Sequence, residues 1–141
     1  MKRQPFFQLT QSAVEQLAAN FDTPLLVLSL DQIERNYRFL KTNLPRVKFY
    51  YAMKANPDMR ILEKMAEMGA SFDVASDGEI KTLAGLGIDG ERMIYANPIK
   101  TTAGLKACNY AGVNKMTFDN IAEVEKMAKD CPGATVLLRF R

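Results

Sequence analysis

The sequence predicts an α/β protein built as part of a TIM-like (β/α)8 barrel with parallel strands. Three observations lead there. Short apolar runs rich in β-branched and aromatic residues begin near residues 47, 71, 92, 115 and 134, about 19 to 24 residues apart. Between them lie stretches with helical periodicity, each opened by Asp, Ser, Thr or Asn. That step is the length a strand needs for a helix to carry the chain back to a parallel neighbour. A complete barrel takes about 250 residues and eight strands. Five barrel-like strands precede Arg141, so the chain is expected to be the front part of a longer protein.

Each element follows from local chemistry. Thr10 can cap a helix over residues 11–19, Thr23-Pro24 breaks the chain, and residues 25–28 read as a short buried strand. Asp31 and Glu34 have capping-box spacing for a helix that stops near Leu44-Pro45. Residues 47–53 read as the first barrel strand. Asp58 opens the next helix, which places Ile61, Leu62, Met65 and Ala66 on one face and Gly69 at the left-handed position beyond its end. Further strands are expected at 72–75, 93–96, 115–118 and 135–140, with helices opening after Ser76, Thr101 and Asn120. Residues 1–23 thus form a helical lead, and residues 24–141 an incomplete barrel of about five strands out of eight. An open half-barrel leaves a strand edge and an apolar interior uncovered, so the isolated 141-residue chain is expected to be unstable, dimerising or aggregating.

Composition narrows the chemistry. The chain is 48% hydrophobic and 25% charged, with 19 basic and 16 acidic side chains, the balance of an ordinary globular protein. The net charge of +3 is scattered, without a basic run that would suit nucleic acid. There is no histidine, which removes imidazole metal sites, Ser-His and Cys-His pairs and a histidine base. Cys108 and Cys131 lack metal or redox spacing, so no metal site is expected and a reducing cytoplasm fits best. The longest apolar stretch falls far short of the roughly 18 to 20 residues of a membrane span, and Met1-Lys2-Arg3-Gln4-Pro5 leads into no signal-like segment.

In a parallel barrel the reactive groups gather at the C-terminal strand ends. The first strand ends Tyr51-Ala52-Met53-Lys54-Ala55-Asn56-Pro57, which places Lys54 where an apolar run meets a turn. There it is expected to be nearly desolvated, which would lower its amine pKa as a Schiff-base lysine requires. The other reading is a strand-end lysine whose head snorkels to water. Asp73 lies inside the apolar run of the second strand and needs a cation, for which Lys54 next door or a cofactor's polar edge would serve. Ser76 and Glu79 have capping-box spacing, which favours a structural role. Asn97 and Asp119 end the third and fourth strands as caps or turns. Arg139, between Leu138 and Phe140, either points to solvent or pairs with an anionic or phenolic group inside.

Gly85-Leu86-Gly87-Ile88-Asp89-Gly90 matches the G-x-G-x-x-G phosphate fingerprint by letter. The fingerprint must follow a strand and open a helix, whereas this segment closes one, so it reads as a helix stop and turn. Cys108, among Leu105, Ala107 and Ala111, reads as core, and the eight methionines as packing.

Taken together, Tyr51 to Pro57, Phe72-Asp73-Val74-Ala75-Ser76 with Glu79, Tyr95-Ala96-Asn97-Pro98 with Lys100, Thr117-Phe118-Asp119 and Leu138-Arg139 resemble, in order and spacing, the N-terminal barrel of the pyridoxal-phosphate-dependent ornithine/diaminopimelate/arginine decarboxylases. The match runs from Thr23 onward and is nearer to the ornithine and lysine/ornithine branch. It implies an alanine-racemase-type barrel, fold type III, and pyridoxal 5′-phosphate as cofactor. Lys54 would form the Schiff base, Asp73 would position that lysine and the cofactor, Arg139 would reach the phenolic side, and Glu79 would support the site from behind. The implied reaction is decarboxylation of a basic amino acid, L-ornithine to putrescine first and L-lysine second, in a cytoplasmic homodimer.

The family also uses a histidine on the cofactor ring, a glycine-rich phosphate turn, a glutamate on the pyridine nitrogen and a C-terminal β-rich domain that contributes across the dimer. None is found in the 141 residues, so the chain alone is expected to be inactive. The resemblance leaves three other outcomes open: a non-catalytic homologue that binds a partner, as antizyme-inhibitor-like relatives do; a single-domain pyridoxal-phosphate carrier; and a diaminopimelate or arginine decarboxylase. Joint retention of Lys54, Asp73, Glu79 and Arg139 argues against the first.

Overall fold

A computed structural model describes residues 7–140; the segment Met1 to Pro5, read above for a signal, and Arg141 lie outside the described residues. The chain divides into two compact units, Met1–Val47 and Lys48–Arg141.

The first unit holds two helices. Helix α1 (Gln11–Asn20) begins where Thr10 accepts a hydrogen bond from the Ala13 N–H, as its position predicts. Helix α2 (Leu30–Asn43) starts earlier than the expected Asp31/Glu34 box. Its cap is Ser29, whose Oγ accepts from the Gln32 N–H at 3.2 Å, and Asp31 sits in the first turn, favourably placed at the positive end of the helix dipole. The expected buried strand at residues 25–28 is absent. Leu25, Leu26 and Leu28 are exposed and the backbone there joins no ladder, because an apolar run becomes a strand only where another strand pairs with it. No helix among the described residues is long and apolar enough to cross a membrane.

The second unit is a five-stranded parallel sheet whose strands, β1 (Tyr50–Ala52), β2 (Ser71–Val74), β3 (Met93–Tyr95), β4 (Lys115–Phe118) and β5 (Thr135–Leu138), lie side by side in chain order. Doubly wound sheets reverse their order at a switch point, whereas an unreversed succession is the winding of a barrel. The strands alternate with helices α3 (Met59–Glu67), α4 (Asp77–Gly85), α5 (Thr102–Ala111) and α6 (Ile121–Asp130). Asp58, Ser76, Thr101 and Asn120 cap these four helices through their side chains, at the positions read from the sequence. Strand β1 is shorter than expected: after Ala52 the chain tightens into a 3-10 turn, Met53–Ala55.

The register separates the two faces of the sheet. Phe72 pairs with Met93 and Tyr95 with Met116, and these four with Val74 are at most 1% exposed. They form the core with Ile61, Leu62, Met65, Ile80, Leu83, Leu105 and Met127 from the helices. Each such side chain, fully buried, contributes about 1.5–3 kcal/mol. Ala52, Asp73 and Ile94 align on the opposite parity and are only half-buried. A period of two along each strand thus sends Tyr95 and Phe72 toward the helices and Asp73 toward the inner face.

The Gly85–Gly90 segment behaves as the helix stop its context predicts. Helix α4 ends at Gly85, Gly87 takes φ +72°, and Gly90 starts a second 3-10 turn. A Cβ on Gly90 would lie 2.2 Å from the Ala111 carbonyl oxygen, so this glycine is required by close backbone approach.

Candidate active site at the strand ends

Parallel strands in one sheet bring their C-terminal ends to one side, and there the chain gathers four charged residues. Lys54 lies in the 3-10 turn after β1, Asp73 inside β2, Glu79 in the first turn of α4 and Arg139 just past β5. All four line one cavity of about 310 Å³, with Ala75, Ala96, Asn97 and Pro98. That volume is at the lower end of small-molecule sites. A second cavity, about 600 Å³, lies between α4 and α5 and is lined by Ile80, Ala84, Ala107 and Tyr110 among others. It is larger but holds none of the four candidates, and convergence of charged groups from four elements decides for the smaller one.

Asp73 is half-buried, and its Oδ1 accepts a hydrogen bond from the Ala96 N–H at 3.3 Å. Burial pushes its carboxyl above the usual range, against the pull of that N–H and of the Lys54 ammonium. Lys54, one of the two partners the sequence offered for Asp73, is near enough to act on its charge. Lys54 itself is exposed, which corrects the expectation of a desolvated amine: it stands in the turn beyond a three-residue strand, not within the apolar run.

Glu79 is fixed more firmly than a capping box requires. Its N–H donates to Ser76 Oγ at 3.2 Å, while its Oε2 accepts from the Ala75 N–H at 2.7 Å. The same Ala75 accepts at its carbonyl from the Tyr95 hydroxyl, at 2.9 Å. This peptide segment of the cavity wall is thus gripped from both sides. Burial, with lesser repulsion from nearby acidic groups, pushes the Tyr95 hydroxyl up to about 12, so it stays a donor at neutral pH. The Arg139 backbone N–H donates to the Phe118 carbonyl at 2.8 Å, and its exposed side chain borders the cavity.

Asn97 does turn the chain, its Oδ1 accepting from the Ile99 N–H at 3.4 Å, and it also lines the cavity beside Pro98 and Ala96. Position at the end of β3 was the signal for that second role. Lys100, noted in the sequence only as part of a motif, is 2% exposed and is held by Glu123 of α6. Nothing local marks it, since Glu123 is 23 residues away. Among the described residues no group of three or more Cys, Asp or Glu side chains is gathered for a metal ion.

Residues 30–141 match the family described as pyridoxal-dependent decarboxylase, pyridoxal binding domain. The chain is 51% identical over 134 residues to the lysine/ornithine decarboxylase of Selenomonas ruminantium, covering 95% of this chain and 34% of that one. It is 43% identical over 110 residues to antizyme inhibitor 2 of Xenopus laevis, covering 78% of this chain and 24% of that one. The fold superposes with a TM-score of 0.94 on a crystal structure described as SrLDC in complex with PLP and cadaverine, at 49% identity over 98% of this chain and 36% of the other. For the lysine/ornithine decarboxylase of Vibrio vulnificus complexed with putrescine the TM-score is 0.84 at 32% identity, over 93% of this chain and 37% of the other. The chain spans about a third of the length of the lysine/ornithine decarboxylase relatives it matches.

Proposed function

The chain belongs to the pyridoxal-dependent decarboxylases, within their pyridoxal-binding domain, and from that membership we propose that it holds the cofactor of an enzyme that removes the carboxyl group of a basic amino acid. L-Ornithine is the proposed substrate, giving putrescine and CO2, with L-lysine second. The observation that carries this reading is the convergence of Lys54, Asp73, Glu79 and Arg139 on one cavity. We place the barrel at residues 24–141 and the complete enzyme in a homodimer.

The donor set fits the group. A carbonyl-bearing ring needs a primary amine with access to the cavity, and Lys54 is exposed there. Asp73, held in register with Ala52 of β1 and Ile94 of β3, stands beside that amine and, when ionised, would orient it. Arg139 offers a fixed planar donor fork to a phenolic or anionic edge. Glu79 holds the wall, its Oε2 accepting from the Ala75 N–H. When bound, pyridoxal 5′-phosphate supplies an electron sink for the pair left behind as CO2 departs.

The test is to incubate the full-length gene product with pyridoxal 5′-phosphate, reduce with borohydride and map the modified peptide. A label on Lys54 that disappears in Lys54→Ala is the expected result, and a label elsewhere would refute the assignment. Release of CO2 from ornithine, lysine, arginine and diaminopimelate then decides the substrate, and strong preference for the last would overturn the choice of ornithine. The identity to an antizyme inhibitor supports a second reading, a non-catalytic homologue. Absence of any borohydride-trapped lysine would favour it.

A further inference from the structure

We propose that Lys100 is a positioning residue for the cavity, a role that rests on reading the cavity as the cofactor site: from behind the wall, untouched by any ligand, its ammonium holds the Asn97-Pro98 segment against the end of β4.

The side chain of Lys100 has no exposure to solvent. Its Nζ donates to three backbone carbonyls, Asn97 at 3.3 Å, Pro98 at 2.9 Å and Thr117 at 2.7 Å. An ammonium has three protons, so these bonds use its whole donor capacity. Two of the three acceptors belong to residues that line the cavity, and the third lies on β4, the neighbouring strand. The remaining charge is met by Glu123, whose Oε2 stands 3.4 Å from Nζ and also accepts the Lys100 N–H at 3.2 Å. Lys126 closes the arrangement, donating to the Lys100 carbonyl at 2.6 Å and to the other oxygen of Glu123. Asn97 to Lys100 is thereby folded around its own terminal ammonium, and the turn is tied to α6 and β4.

Stability does not account for a lysine here. Burial of an ammonium carries a desolvation penalty, and apolar replacements of buried ion pairs are often neutral or stabilising. What an apolar side chain of equal length cannot do is give donors to three carbonyls. The charge therefore specifies where the loop sits, and the loop is one wall of the cavity. The neighbouring contacts share this direction: Thr117 Oγ1 donates to the Ala96 carbonyl, and the Ala96 N–H donates to Asp73. A displaced Asn97-Pro98 segment would pull on the residue that holds the Asp73 carboxylate.

The experiment compares the unsubstituted full-length product with Lys100→Met, in which Glu123 keeps Lys126 as its partner, and with Lys100→Met/Glu123→Gln, which removes the buried carboxylate as well. Each is titrated with pyridoxal 5′-phosphate, reading absorption and visible circular dichroism of the lysine-bound chromophore, and its thermal midpoint is measured without cofactor. The expected result is cooperative melting in both variants, apparent affinity weaker by about tenfold or more, and altered dichroism of the bound chromophore. Folded variants with the affinity and dichroism of the unsubstituted protein would overturn the proposal. Variants that fail to fold at all would overturn it too, since Lys100 would then support the whole unit and not the loop. No chromophore on the unsubstituted protein would overturn the cofactor reading first, and this role with it.

Discussion

The Asp73 carboxylate accepts the Ala96 N–H at 3.3 Å, so a side chain from inside β2 takes the first backbone donor past the end of β3. This bond ties two strand ends at the cavity wall while leaving the carboxylate half-buried beside Lys54. It places a charged group where burial opposes the charge, a pattern found where function outweighs stability.

Asp73→Asn separates the two. A carboxyl whose folded pKa is raised contributes stability that is present below its ordinary value and is lost as pH rises through the raised one. When ionised, Asp73 is therefore a cost to folding. The neutral variant should melt at the same temperature or higher, while pyridoxal 5′-phosphate binding weakens by about tenfold or more. Calorimetry beside a spectroscopic titration checks both, and a variant that loses stability without losing affinity would count against the role.

Glu123 has the opposite sign. Burial alone would push its carboxyl up, but the Lys126 and Lys100 contacts together hold it below the ordinary value of 4.5. Its contribution is present above that value and is lost as pH falls through the lower, folded one. Denaturant midpoints followed from neutral to acid pH should decline across this window, and Glu123→Gln should flatten that part of the decline. An unchanged acid limb in the variant would show that other carboxylates carry it.

The glycines of the Gly85–Gly90 segment should respond oppositely to alanine. At Gly85, in the last position of α4, an added Cβ meets nothing within 4 Å, and alanine's better helix propensity should stabilise by up to about 1 kcal/mol. At Gly90 the Cβ would collide with the Ala111 and Gly112 backbone, costing about 1–3 kcal/mol or more. Urea unfolding of the two variants distinguishes this turn from a phosphate loop, where all three glycines would matter through ligand binding.

Two leucines test the corrected reading of the N-terminal apolar run. Leu62 of α3 is 0% exposed, and Leu62→Ala should cost about 2–5 kcal/mol. Leu26 is 80% exposed, and Leu26→Ala should stay within about 0.5 kcal/mol. A large loss at Leu26 would restore the buried strand expected from sequence.

What the sequence could show was local or periodic. Thr10, Asp58, Ser76, Thr101 and Asn120 were legible as caps because each acts on an N–H only two or three residues ahead. The barrel order was legible from the repeated step between strands, and with it the placing of Lys54, Asp73, Glu79 and Arg139 at strand ends. The same local logic misled at residues 25–28, where apolar composition named a strand that had no partner, and at Lys54, where it could not tell the last residue of a strand from the turn beyond it.

The sequence by itself therefore determined the helices, the starts of all but α2, the succession of parallel strands and the residue types at each strand end. Only the tertiary structure decided that four of those residues share one cavity, that Asp73 finds the Ala96 N–H, and that Lys100 is buried among carbonyls from Asn97, Pro98 and Thr117. A cap or a helical face is set by neighbours within one turn of the chain. The buried Lys100 takes two of its acceptors from its own turn, but Thr117 and Glu123 come from about twenty residues away, and their positions exist only once the strands have paired.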